Sequence, residues 1–171
     1  MRLDEFAAGD GTWADAPFSV VAPGGVVWTV ATDRSWLFAT VQGGGCARFA
    51  GPAPALFTVL GLLRADLSLI ETVSVPELSA WAPGEEWGSV AGVPVNLGRL
   101  RRVLGVFPEE GATCGSASHL VGGAPCLALA ARDLRVFLMG VADVPGGIPS
   151  FVSGSSDDDA LLDFLATMDE G

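Results

Sequence analysis

Apolar and polar positions fall into two spacings along the chain, one helical and one strand-like. The clearest helical pattern lies in residues 92 to 105. A short extended run, residues 93 to 95, leads into Asn96. An Asn side chain there is suited to cap a helix by accepting from the free N–H groups two or three residues on. At 100° per residue Leu97, Leu100, Val103 and Leu104 fall on one arc, and Gly98, Arg99, Arg101 and Arg102 fill the rest of the circle. The spacing predicts a helix that buries its leucines and shows a basic face to water.

Strand-like runs surround this helix. Residues 18 to 22 end at Pro23-Gly24-Gly25. Residues 26 to 31 and 35 to 42 are rich in β-branched and aromatic side chains and flank the polar trio Thr32-Asp33-Arg34, which predicts a hairpin. Gly43-Gly44-Gly45 lacks the Lys-Ser/Thr of a phosphate loop and reads as a plain loop. Residues 51 to 70 form an apolar connector, helical from 55 to 64. Residues 72 to 75 read as a strand, 76 to 81 as a short helical turn with Pro76 in its first turn, and 83 to 88 as an acidic loop. Three more strands are predicted at 112 to 119, 126 to 131 and 134 to 141, with Arg132-Asp133 turning between the last two. Residues 3 to 8 predict a short helix stopped at Gly9.

One helix followed by three antiparallel strands thus occurs twice, over residues 3 to 42 and 92 to 141. That rhythm predicts an α+β fold, with helices gathered on one face of the sheet. Residues 1 to 145 form the globular domain. Residues 146 to 159 read as a flexible acidic linker, Pro/Gly-rich at its start. Residues 160 to 171 predict an amphipathic C-terminal helix, capped by Ser156 or Asp157, with an acidic first turn. Its apolar face carries Leu161, Leu162, Phe164, Leu165 and Met168. Two readings of this tail stand side by side: a tethered docking segment that folds into a groove, or a terminal helix packed on its own domain.

Composition narrows the functions. The 171 residues are 50% hydrophobic, enough for a real core. The formal charge is -11 and all nine basic residues are arginine, three of them in the predicted helix. A uniformly acidic surface repels nucleic acid, so a DNA contact requires that local basic patch. No apolar run reaches the ~18 residues of a membrane span and no apolar signal core opens the chain, which predicts a cytoplasmic protein with no membrane contact. Cys46, Cys114 and Cys126 match no zinc spacing and no disulfide framework, and read as small buried thiols. His119 is the single histidine, five residues from Cys114, a weak basis for nucleophilic catalysis. Asp157-Asp158-Asp159 lacks the glycine turn and spaced ligands of a calcium loop. The expectation is a protein that is not an enzyme and uses no cofactor or metal.

The order of these pieces resembles the bacterial DNA sliding clamp, the DNA polymerase III beta subunit family. Val95-Asn96, the Leu100 to Leu104 helix, Pro125-Cys126-Leu127-Ala128-Leu129 and the run from Leu134 to Val141 are similar to that family's last half-domain. Ala31-Thr32-Asp33-Arg34-Ser35-Trp36-Leu37 is similar to its Ala-Thr-Asp-Gly-x-x-Leu hairpin, with Arg34 in place of the glycine and, later, Gly140 in place of a proline after Met139. The resemblance covers residues 3 to 143, about one clamp domain. It implies a homo-oligomer that encircles double-stranded DNA without sequence preference, gripping phosphates through Arg99, Arg101 and Arg102. It also implies a pocket for short peptides of polymerases and repair proteins, carried here by Thr32, Ser35, Trp36, Leu37, Phe137 and Met139. In the family the pocket walls come from neighbouring domains, so the resemblance places them across a subunit interface. Without the resemblance, Trp36, Phe137 and Met139 read as core. The family's peptides combine Leu, an acidic residue and Phe. Leu161-Leu162-Asp163-Phe164-Leu165 is similar, without the leading Gln, and is a candidate to dock in a pocket of its own or a neighbouring chain. The implied function is a replication processivity or docking factor. The competing reading is an acidic protein-interaction module, of inhibitor or immunity type, with no DNA role.

Overall fold

The computed structural model describes residues 3–41, 46–67, 69, 71–81, 83–108, 111–131, 133–141 and 148–151. In chain order it has a 3₁₀ turn (Leu3–Phe6), β1 (Phe18–Val21), β2 (Val27–Thr32), β3 (Trp36–Thr40), α1 (Ala53–Arg64), β4 (Glu71–Val73), α2 (Val75–Trp81), β5 (Trp87–Val90) and β6 (Val93–Asn96). Then follow α3 (Leu97–Leu104), β7 (Ala112–Ser116), a second 3₁₀ turn (Ser118–Val121), β8 (Cys126–Ala131), β9 (Leu134–Met139) and β10 (Ser150–Phe151). The α+β class holds. Seven strands form one antiparallel sheet in the order β1-β2-β3-β9-β8-β7-β4, and β10-β5-β6 form a small second sheet.

The two predicted three-strand units meet at a seam. β3 pairs antiparallel with β9, Leu37 opposite Phe137 and Phe38 opposite Val136. Outward from the seam run β2 and β1 on one side, β8 and β7 on the other. This arrangement brings the hairpin around Asp33 next to the end of β9, although about a hundred residues separate them in sequence.

All five residues of β3 are buried, and so are the first four of β8. Strands without polar alternation must be covered on both faces. One face packs Val95, Leu97, Leu100, Val103, Leu104 and Leu78 against Phe38, Leu127, Leu129 and Val136. The other packs Val59, Leu62 and Leu63 of α1 against Val30, Leu37, Ala39, Ala128 and Phe137. The expectation that the helices gather on one face is therefore corrected. The 3₁₀ turn at Phe6, α2 and α3 share a face, and the connector helix α1 lies on the opposite one. The uniformly apolar central strands are the reason.

The segment around α3 follows its sequence closely. Asn96 Oδ1 accepts from the Arg99 backbone N–H at 2.9 Å, a cap of about 1 kcal/mol. Leu97, Leu100, Val103 and Leu104 are all buried. Three expectations shift. The acidic loop is shorter than expected, because Trp87 already starts β5. Ala91 and Gly92, at φ 51° and 77°, make the tight primed turn that joins β5 to β6. The strand expected over residues 112 to 119 stops at Ser116, and His119 lies on the second 3₁₀ turn. Within the span read as linker, Ser150 and Phe151 pair parallel with β5, and Phe151 is buried against Trp81 at 5.2 Å between ring centroids. The Gly43-Gly44-Gly45 loop and the tail at residues 160 to 171 lie outside the described residues.

The departure at Gly140 has a packing cause. Its N–H donates to the Pro125 carbonyl at 2.7 Å, a bond that proline cannot make. A Cβ there would also come within 2.5 Å of the Pro94 carbonyl oxygen.

Candidate functional site

At the end of the β3–β9 seam lies an apolar cavity of about 230 Å³. Leu37 supplies one wall, Phe137 and Met139 a second, and Ala55, Thr58, Val59 and Leu62 of α1 a third. Trp13, Arg34, Val121 and Cys126 complete it with Thr32 and Trp36. The α1 residues recur at helical spacing on one face of α1. The volume is below the ~300–1,000 Å³ usual for small-molecule sites.

Five of the six residues expected in a peptide pocket line this cavity: Thr32, Trp36, Leu37, Phe137 and Met139. Ser35 is not among them. It works in the turn, where its N–H and hydroxyl both donate to Asp33 Oδ1, at 2.8 and 2.6 Å, and its carbonyl accepts from the Met139 N–H at 2.8 Å. The expected division of the walls between subunits is corrected, since the register of β3 against β9 brings them together within one chain. Sequence reading missed Trp13, Arg34, Val121, Cys126 and the α1 face. The i, i+3, i+4, i+7 spacing of Ala55, Thr58, Val59 and Leu62 was a usable signal for the helix face. Nothing in the loop sequence around Trp13 marked it.

Arg34 stands beside the cavity in an unusual backbone conformation, φ 75°. Its guanidinium donates to Asp10 Oδ2 at 2.8 Å and to the Thr12 hydroxyl, and lies 5.7 Å from the Trp13 ring. The Thr12 hydroxyl, then Arg34, hold the Asp10 carboxyl down at about 2. A depressed carboxylate stabilises the fold above its ordinary pKa and loses that contribution as pH falls toward about 2, so this exposed pair is intact throughout the neutral range.

α3, with its arginines, packs on the face of the sheet opposite α1. Arg99 reaches Asp33 Oδ2 at 3.4 Å and sits 4.8 Å from the Trp36 ring centroid. Arg102 lies 5.2 Å from Trp36 and 5.6 Å from Phe6, and donates to the Glu5 carbonyl at 3.1 Å. Arg101 is half-exposed on the same helix. Arg101 stands about 160° around the helix from Arg99, whereas Arg99 and Arg102, about 60° apart around α3, are both held over aromatic rings. Each such contact is worth ~0.5–1 kcal/mol. Asp4 and Glu5 are exposed nearby.

The remaining candidate chemistry is quiet. Cys114 is fully buried, and burial followed by the nearby Glu71 charge pushes its thiol up to about 12. Burial raises Cys126 to about 11. Both are thiols, not thiolates, at neutral pH. His119 is exposed. Among the described residues no group of three His, Cys, Asp or Glu side chains is placed to hold a metal, and no helix is long and apolar enough to cross a membrane. The tail motif Leu161, Leu162, Asp163, Phe164 and Leu165 lies outside the described residues. Comparisons with protein-family models, curated proteins and solved structures find no match to this chain.

Proposed function

We propose that the chain is a DNA-clamp-like docking protein whose cavity takes the apolar anchors of short peptides from replication or repair proteins. The observation that carries this reading is the single-chain cavity formed by the Asp33 hairpin, β9 and α1. Two three-strand units mirrored about the β3–β9 seam support the clamp-like architecture. Burying one large apolar side chain contributes about 1.5–3 kcal/mol, so the anchor dominates affinity. Thr58 is exposed on α1 at the cavity wall. Thr58→Trp is expected to fill the space without disturbing the core and to weaken a labelled peptide carrying Gln, Leu, Asp and Phe about 10- to 100-fold. Unchanged anisotropy titrations would remove the cavity from the function.

The DNA part of the proposal rests on Arg99, Arg101 and Arg102 standing together in the short helix α3 of a chain of charge -11. One such helix grips weakly, so the reading requires several chains around the duplex. Replacing all three with glutamine is expected to make the dependence of log K on log salt shallower by about 2–3 per chain. The alternative, an acidic interaction module without DNA, is favoured by the engagement of Arg99 with Asp33 and of Arg102 with Phe6 and Trp36. A monomer with no retention on closed circular DNA at low salt would decide for that module.

A further inference from the structure

The cavity is apolar inside and has the Arg34–Asp10 ion pair beside it, with the Arg34 side chain 46% exposed. A guanidinium has five donors, and contacts to Asp10 and Thr12 leave some unused. The fitting ligand therefore places one or two apolar side chains inside and a carboxylate at the rim. The chain carries such a segment itself. Leu161, Leu162, Phe164 and Leu165 surround Asp163, and six of the 20 acidic residues (Asp157, Asp158, Asp159, Asp163, Asp169 and Glu170) fall in this stretch with no arginine.

Geometry allows the encounter. Phe151 is fixed in the small sheet, on the face opposite α1. Ser150 pairs with Ser89, Ser89 with Pro94, and the Pro94 carbonyl accepts from the Val141 N–H two residues beyond cavity-lining Met139, so three strand spacings, roughly 15 Å, separate β10 from that end of β9. The ten residues from Phe151 to Leu161 span up to roughly 33–36 Å. Resting on the peptide-docking reading above, we infer that residues 161 to 165 occupy the cavity of their own chain and compete with outside peptides. A short tether gives an effective concentration in the millimolar range. With an intrinsic affinity of roughly 100 µM, the segment fills about nine cavities in ten and weakens an outside ligand about ten-fold.

The test uses the full-length chain and its full-length Leu162→Ser, Phe164→Ser variant. The probe is a labelled synthetic peptide of residues 155 to 171. The expected result is about ten-fold tighter binding to the variant than to the native chain, abolished when Thr58→Trp is added to the variant. Equal affinity for both chains would show that the native tail does not compete, which overturns the inference and leaves peptide docking standing. Failure of this peptide alongside binding of the Gln-Leu-Asp-Phe peptide would overturn it as well, because the cavity would then reject the tail. Failure of both peptides would sink the docking reading together with the inference. A native dimer that dissociates in the variant, seen by light scattering, would place the tail on a second copy and overturn occupation in cis.

Discussion

Gly111→Ala is expected to remove about 3 kcal/mol or more of folding stability. Gly111 has φ 90°, and its N–H donates to the Pro108 carbonyl at 2.8 Å. A Cβ there would stand 2.1 Å from the Val73 carbonyl oxygen and 2.8 Å from its carbon. The obstacle is backbone, at the point where β4 ends beside the start of β7, Val73 opposite Ala112. A left-handed conformation costs a residue with a Cβ roughly 1–2 kcal/mol, and overpacking typically adds about 1–3 kcal/mol. Against a total of about 5–15 kcal/mol, that is a large loss. With a urea m-value of about 1–3 kcal/mol/M, the midpoint falls by about 1–3 M. Gly84→Ala is the control. Gly84 has φ 80° with nothing within 4 Å of an added Cβ, so only the conformational cost applies. Equal midpoints for the two variants would mean that the Val73 carbonyl does not crowd Gly111, and the β4–β7 contact would need revision.

Local signals in the sequence carried over where local physics decides the outcome. The α3 segment is the clearest example. Its cap and its apolar arc are properties of nine consecutive residues, and each appears in place. The Asp33 hairpin behaves the same way, because Asp33 bonds to backbone groups two and three residues on. Where a long-range pairing decides, the letters were silent. Residues 83 to 88 were read as an acidic loop and the rest of β5 was not read as a strand; its turn, Ala91-Gly92, lacks the Asn-Gly signal of a hairpin. Gly88 is there for space: a Cβ would meet the Trp81 ring at 2.6 Å. The position of α1 was open to inference, since Trp36 to Thr40 shows no polar alternation and so needs cover on both faces.

The candidate cavity divides along the same line. Leu37, Phe137 and Met139 were legible through the resemblance, yet their meeting in one chain depends on the β3–β9 pairing across about a hundred residues. Trp13 and Arg34 depend on loop packing. Arg34 holds a conformation in which glycine is at ease, and strain of that kind persists when contacts over-determine it. Here the Asp10 carboxylate, the Thr12 hydroxyl and the Trp13 ring do so. The basic residues of α3 were read too simply as one face of free charge, since Arg99 and Arg101 lie about 160° apart around the helix. Asp33, Phe6 and Trp36 already engage Arg99 and Arg102, and a hydropathy pattern along one helix cannot show partners from another part of the chain.

Trp36→Ala is expected to cost about 3–5 kcal/mol, the range for removing a buried large aromatic side chain. Trp36 is 6% exposed. Its ring meets Phe6 and Phe38 edge-on at 5.7 and 5.9 Å, and its Nε1–H donates to the Phe6 carbonyl at 3.0 Å. Arg99 and Arg102 rest over it, and it also lines the cavity. One side chain therefore joins the N-terminal turn, β3 and α3. Trp36→Phe separates the terms. It keeps an aromatic ring in the cluster and loses the hydrogen bond to Phe6, for about 1–2 kcal/mol. Urea unfolding followed by circular dichroism should rank native, Phe and Ala in falling order of midpoint, with the larger gap between Phe and Ala. A loss below about 1 kcal/mol for Trp36→Ala would mean that the first turn and α3 are held together elsewhere. The pairing of Arg99 and Arg102 with this ring would then count for little.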